Sequence, residues 1–230
     1  MSFEREETRN QIVYQKLREA ILNRRISPGQ QLIEDSISKA FNTSRTPVRN
    51  ALRALHDEGL VDIFPNKGAF VVDPTQDEIL SAYFMREELE IISWKSICGK
   101  LVKENFDDLK LIVENESNAV RNGDFSEYLE YNKLFHLYPA NFLNNVFLEE
   151  FLSKMINQIN VYLALYDVFF DRSLEDIKSM SDHKAIVIAL ENSDVEQLLR
   201  IVSGHIKSSS RDLIIKNIQS GSLKNALKYL

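Results

Sequence analysis

Hydrophobic positions in the first seventy residues follow two periods. Val48, Ala51, Leu52 and Leu55 stand at i, i+3, i+4 and i+7, the stripe of an α-helix buried along one face. Ser44 supplies its N-cap, Pro47 falls in the first turn where a missing N–H costs nothing, and Gly59 closes it. Upstream, Ile33, Ile37, Ala40 and Phe41 mark a shorter helix across the polar turn Asn42-Thr43-Ser44, which makes a helix-turn-helix. A first helix is predicted over residues 8–25. Its inner face is Ile12, Leu17, Ala20 and Ile21, with Arg24-Arg25 at the C-terminal end, where cations favour the dipole, and a turn at Pro28-Gly29. After Gly59 the period shortens. Residues 60–64 and 69–72 are β-prone runs joined by Pro65-Asn66-Lys67-Gly68, a hairpin with Gly where a positive φ is expected.

Beyond residue 73 no strand signal rises above the helical one. Asp73-Pro74 ends the hairpin, and Thr75-Gln76-Asp77-Glu78 is a capping box that opens a long helix. Ile79, Ala82, Tyr83, Leu89 and Ile92 give that helix its apolar spacing. Further N-caps are predicted at Asn105, Asp124 with Glu127, Asn145, Ser173, and Ser193 with Glu196. The expectation is a mainly α protein: residues 1–73 as a winged helix-turn-helix, and residues 74–230 as an all-α antiparallel bundle of about six helices.

Charge sharpens this division. The net charge of −6 hides an asymmetry: residues 1–72 hold 11 Lys and Arg against 9 Asp and Glu, and the remainder 17 against 25. A mildly basic head on an acidic body suits nucleic-acid contact at one end. Residues 1–10 are rich in charge and no run of eighteen apolar residues exists, so neither a signal peptide nor a membrane span is expected. The lone Cys98 excludes an internal disulfide, which suits a reducing, cytoplasmic setting.

Chemistry enters with Arg45, Arg49 and Arg53, which form a stripe four residues apart beside the buried one. The solvated-face reading of such a stripe yields here to context. Arg45 and Arg49 sit near the N-terminal end of the second helix of a helix-turn-helix, the end that enters the major groove, and a basic hairpin follows as a wing. Ser44-Arg45-Thr46-Pro47-Val48-Arg49, the run from Ala51-Leu52 to Glu58-Gly59-Leu60-Val61, and Asn66-Lys67-Gly68-Ala69-Phe70-Val71 resemble the winged-helix head of GntR-family bacterial transcription regulators. The resemblance implies base reading by Arg45 and Arg49, backbone positioning by Thr46, and a minor-groove or phosphate contact from Lys67 and Gly68, with the N-cap Ser44 also among the DNA-binding residues. Two positions depart from the pattern. Asp35 stands where Arg is usual and Asn50 where Glu is usual, so a different operator is expected. Asp35 can accept from a cytosine amino group or cap its helix.

His136 shares a helix face with Asn132 four residues earlier, while His183 and His205 fall on two later helices. Three such histidines can converge on one metal ion or be ordinary core-edge residues. Residues 86–90, 132–136, 182–190 and 199–206 resemble the FCD domain, the ligand-sensing partner of this head in the fatty-acid-regulator branch of the family. That resemblance implies a divalent transition metal, Zn²⁺ or Ni²⁺, at Asn132, His136, His183 and His205, with Asn132 in place of the family's Asp. A neutral amide is a weaker ligand, and Asn132→Asp is expected to tighten retention. Arg86 resembles a residue near the effector pocket and either meets a carboxylate effector or pairs with Glu90. The function expected is a homodimeric regulator that binds double-stranded operator DNA under a small effector. The alternatives are a metal-independent sensor on the same fold and a His-site metalloenzyme.

Overall fold

The computed structural model describes residues 8–166 and 178–213. Two compact units divide between Thr75 and Gln76.

In the first unit, α1 (Arg9–Leu22), α2 (Glu34–Ala40) and α3 (Arg45–Asp57) carry a small sheet of β1 (Gln31–Leu32), β2 (Val61–Phe64) and β3 (Gly68–Val71). The stripe predicted for α3 is the one buried. Its end is a Schellman motif: Leu60 N–H donates to the Leu55 carbonyl and Gly59 N–H to that of His56, with Gly59 at φ +82°. Leu55 and Leu60, at the two ends of the first of these bonds, are both buried. In α1 the inward residue is Val13 rather than Ile12, which is exposed. Val13, Leu17, Ala20 and Ile21 form the tighter i, i+4, i+7, i+8 stripe.

The hairpin closes with Asn66 at φ +62° and Gly68 at φ +96°, and β2 pairs antiparallel to β3 in the register Val61↔Val71, Ile63↔Ala69. The sheet order is β1-β3-β2. β1 was not expected. It is two residues long, follows the Gly29 turn at φ +73°, and pairs Gln31 with Phe70. Gln31 Nε2 also donates to the Lys67 carbonyl, so the turn of the wing is tied to β1.

The second unit contains α4 (Gln76–Ile97), α5 (Lys103–Asn122), α6 (Phe125–Phe142), α7 (Val146–Tyr166), α8 (Lys178–Glu191) and α9 (Val195–Asp212) among the described residues. Neighbouring helices pack in a closed circuit, α4 on α7, α7 on α6, α6 on α5, α5 on α8, α8 on α9 and α9 back on α4. Asp124 caps α6 through the Glu127 N–H, and Asn145 Oδ1 accepts from Leu148 N–H at the start of α7. The other caps shift. Val102 is the N-cap of α5, and Asn105 reaches back to its N–H. Asp194, not Ser193, caps α9, because Ser193 sits at φ +54°. Ser173 lies outside the described residues. No helix among them is long and apolar enough to cross a membrane.

α4 is built against the usual pattern. It buries Arg86, Glu87, Glu90 and Ser93 beside Ile79, Tyr83, Trp94 and Ile97, and it exposes Leu80, Phe84, Met85 and Ile92. Ile92, expected in the core, is therefore on the surface. Burying ionised groups is costly unless they are paired, so these residues must meet partners inside the bundle.

Candidate functional site

Two places carry chemistry. On α3, Arg45 is the first helical residue and Arg49 lies one turn on, and both side chains are more than half exposed. Each is engaged by the start of α2. Arg45 holds Asp35 through two contacts, Nη2 to Oδ2 at 2.8 Å and Nε to Oδ1 at 2.5 Å. Arg49 Nε donates to both Glu34 oxygens, at 3.0 and 2.8 Å, which raises the Arg49 pKa further. Ser44 occupies the N-cap with extended backbone, but its side chain makes no capping hydrogen bond. Thr46 is exposed beside it, and Lys67 and Gly68 are exposed at the wing tip. The one basic stripe of α3 and the wing thus lie on the surface of a single unit, with donors presented outward.

The second place is the interior of the bundle. His136 on α6, His183 on α8 and His205 on α9 are buried, and each offers a ring nitrogen, all three lying within 4.8 Å of one another. His136 Nε2 and His183 Nε2 are 3.2 Å apart. Behind each ring stands a carboxylate. His136 Nδ1 lies 2.7 Å from Glu90 Oε2, His183 Nδ1 2.7 Å from Glu116 Oε2, and His205 Nδ1 3.4 Å from Asp182 Oδ2. With Nδ1–H of His136 and His183 donating to these carboxylates, the two Nε2 atoms are the ones left facing each other as ligand atoms. Phe135 stacks on the His183 ring with centroids 4.1 Å apart, and Trp94 packs against Phe135, so the rings are fixed from behind.

The charges around the cluster are uneven. Burial would raise the Glu90 carboxyl, but the His136 ring and the Arg86 guanidinium at its two oxygens outweigh it and hold Glu90 well below the ordinary carboxylate range. Glu116 is also lowered against its burial, by His183 and by a hydrogen bond from Asn132. Burial lowers the pKa of His136 and His205, with Arg86 a further cause at both. Three ring nitrogens close together with carboxylates behind the rings make a donor set suited to a divalent cation.

A tetrahedral ion with Zn–N bonds of about 2.0–2.1 Å puts its ligand atoms roughly 3.3 Å apart, close to the His136–His183 separation. The carboxylate behind each ring is the arrangement that orients metal-bound histidines and strengthens them as ligands. The residues present fit such an ion.

Asn132 sits beside the cluster, but its Nδ2 donates to Glu116 Oε1 at 3.1 Å and to the Tyr128 hydroxyl at 3.5 Å. Only its Oδ1 is left to face a cation. Arg86 makes the ion pair with Glu90, Nε to Oε1 at 2.6 Å, while its buried Nη2 has no hydrogen-bond partner among the described residues. Glu90, Glu116 and Asp182 were not among the residues expected at the site. The signal was present: Arg86 and Glu90 interrupt the stripe of Ile79, Tyr83 and Ile97, and Glu116 interrupts that of Leu109, Val113 and Val120.

Residues 9–71 match the model for bacterial regulatory proteins of the gntR family, and residues 81–208 match the FCD domain. The chain is 35% identical over 135 residues to an HTH-type transcriptional regulator from the unstable DNA locus of Streptomyces ambofaciens, an alignment covering 56% of this chain and 54% of that protein. It is 23% identical over 204 residues to the transcriptional repressor RspR of Escherichia coli K12, covering 89% and 88%. The solved structure of Lar, which controls expression of the Listeria monocytogenes agr system, shares the fold with a TM-score of 0.70 at 19% identity, over 91% of this chain and 98% of that one. The chain belongs to the FCD-bearing branch of the gntR family, DNA-binding transcription regulators rather than enzymes, whose helical domain senses a small-molecule effector.

Proposed function

We propose that residues 74–230 sense a small carboxylate beside a divalent metal ion, and that a cytoplasmic homodimer presents two copies of residues 1–73 to a two-fold symmetric operator. The observation that carries the metal reading is the buried cluster of His136, His183 and His205 with a carboxylate behind every ring. Zn²⁺ or Ni²⁺ suits an all-imidazole set, with Asn132 Oδ1 as the neutral neighbour. When bound, the ion supplies an open coordination position for an anionic ligand. Arg86 holds the carboxylate effector, because its Nη2 is a buried cationic donor with capacity to spare and its Nε side is fixed by Glu90.

On the head, Arg45 and Arg49 read base edges. Ser44 and Thr46 position the backbone from the N-terminal turn of α3, and Lys67 and Gly68 bring the wing to phosphate or the minor groove. The exposed apolar face of α4, Leu80, Phe84 and Ile92, together with Phe147 and Phe151 on neighbouring α7, supplies the dimer surface.

Elemental analysis of the purified chain tests the metal reading: about one equivalent of a transition metal per chain is expected, and His183→Ala should lose it. Loss of the ion lowers stability, since a ligand of the native state at a hundredfold excess over its Kd contributes about 2.7 kcal/mol. A chain that takes up no Zn²⁺ or Ni²⁺ even from excess would leave the metal-independent sensor, with the imidazoles hydrogen-bonding the effector.

A further inference from the structure

The contact between Asp35 and Arg45 has no evident purpose in stability. Both side chains are more than half exposed, and ion pairs of that kind add little to a fold. Its geometry is nonetheless specific. The carboxylate of Asp35, in the first turn of α2, takes the Nε–H and one Nη2–H of Arg45, the side edge of the guanidinium. A guanidinium carries five N–H donors. The two on Nη1 and the second on Nη2 remain, and they form the end-on fork that matches O6 and N7 of guanine in the major groove.

We infer that Asp35 is a specificity-determining positioning residue that braces Arg45 for one guanine and denies it to the DNA backbone. This rests on Arg45 being a base reader. Unbraced, a long arginine at the first turn of α3 can swing to the nearest phosphate, a contact that carries no sequence information. Braced, its fork has one direction, and the side edge a phosphate would use is occupied by an anion. The carboxylate itself repels phosphates, so DNA lacking the guanine gains less from the head than it otherwise would. Asp35 thus sharpens discrimination by weakening the wrong complexes, which is how charge placed against a competitor works. Glu34 holds Arg49 by Nε alone, which leaves all four Nη hydrogens of Arg49 available. The bracing is therefore tighter at Arg45.

The test uses the full-length chain, selection from a library of random DNA duplexes, and titration of a mixed-sequence duplex over a salt series. Wild type is expected to select a motif with a guanine that Arg45→Ala no longer selects. Asp35→Asn keeps the size and removes the charge. Its preference for that guanine should fall about fivefold or more, the low end of what a bidentate base contact discriminates. Its binding to mixed-sequence DNA should strengthen, with a salt slope steeper by about one per head as Arg45 turns to phosphate. An Asp35→Asn motif as sharp as that of wild type, with unchanged mixed-sequence binding, overturns the inference while leaving Arg45 as reader. If Arg45→Ala retains the guanine, the base-reading assignment itself fails.

Discussion

Helices α3 and α4 solve opposite problems with similar residues. In α3 the apolar stripe Val48, Ala51, Leu52, Leu55 faces the core and three arginines face out. In α4 an arginine and two glutamates face in, and Leu80, Phe84, Met85 and Ile92 face out. An ordinary amphipathic helix needs nothing beyond its own unit. An inverted one needs partners on both sides, charges for the inner face and apolar cover for the outer. The charged residues of α3 are free to be functional because they cost little to expose. Those of α4 are buried, 0% exposed at Glu90 and 4% at Arg86, and are held by partners inside the bundle: Arg86 and His136 each meet one oxygen of Glu90.

The largest expected effect comes from Glu90→Ala. It leaves Arg86 buried without its anion and His136 without its acceptor, and breaking a buried pair from one side costs about 3–5 kcal/mol. The melting temperature should drop sharply and metal content should fall with it. A variant that melts like wild type with its metal intact would mean that α4 tolerates its inverted pattern without a site.

The outer face of α4 gives the next effect. Phe84 is 59% exposed, and Phe84→Asp should shift sedimentation at micromolar concentration from dimer to monomer, since central aromatic anchors of an interface contribute about 2 kcal/mol or more. A Phe84→Asp dimer as tight as wild type would place the interface elsewhere.

What could be read in advance divides along the same line. The α3 stripe, the turn at Asn42, the hairpin with its positive-φ Gly68 and the Asp124 cap all obey local rules, and local rules are visible in sequence. The histidines were visible as residue types on three helices. The inward position of Glu90 and Glu116 was legible from the apolar stripes they interrupt, but not which ring each meets, because Glu90 reaches His136 across 46 residues and Glu116 reaches His183 across 67, and no spacing rule links such positions. β1 escaped because two residues show no period. Ile92 was misplaced because an apolar residue at helical spacing says which face it shares, not which face is covered.

Arg49→Ala is the counterpart on α3. Removing an exposed side chain whose only described partner is Glu34 should change the melting temperature little, yet cost about 1–3 kcal/mol in binding the selected operator, roughly 5- to 150-fold. Lys67→Ala should weaken all sequences alike and reduce the salt slope by about one. An Arg49→Ala protein that binds its operator normally would remove α3 from the role of reader.

The smallest effect separates two readings of one residue. From sequence, Asn132→Asp restores a negative ligand and tightens metal retention. The structure adds Glu116, whose Oε1 accepts the Asn132 amide at 3.1 Å. An aspartate there exchanges a donor for a second carboxylate in the interior, and two such groups in contact hold a proton between them rather than ionise together. Without metal, the variant should be less stable than wild type, because at neutral pH the interior must either take up that shared proton or bear a second buried carboxylate charge. With saturating Zn²⁺ most of that loss should return, since the dication offsets the added charge. Metal uptake must then displace the shared proton, so affinity in the variant should rise with pH more steeply than in wild type. Melting curves with metal and with chelator at pH 6, 7 and 8 distinguish the cases. Equal chelator-treated stability and parallel pH dependence would show that Asn132 and Glu116 do not share the contact and would restore the simpler expectation of a tighter site.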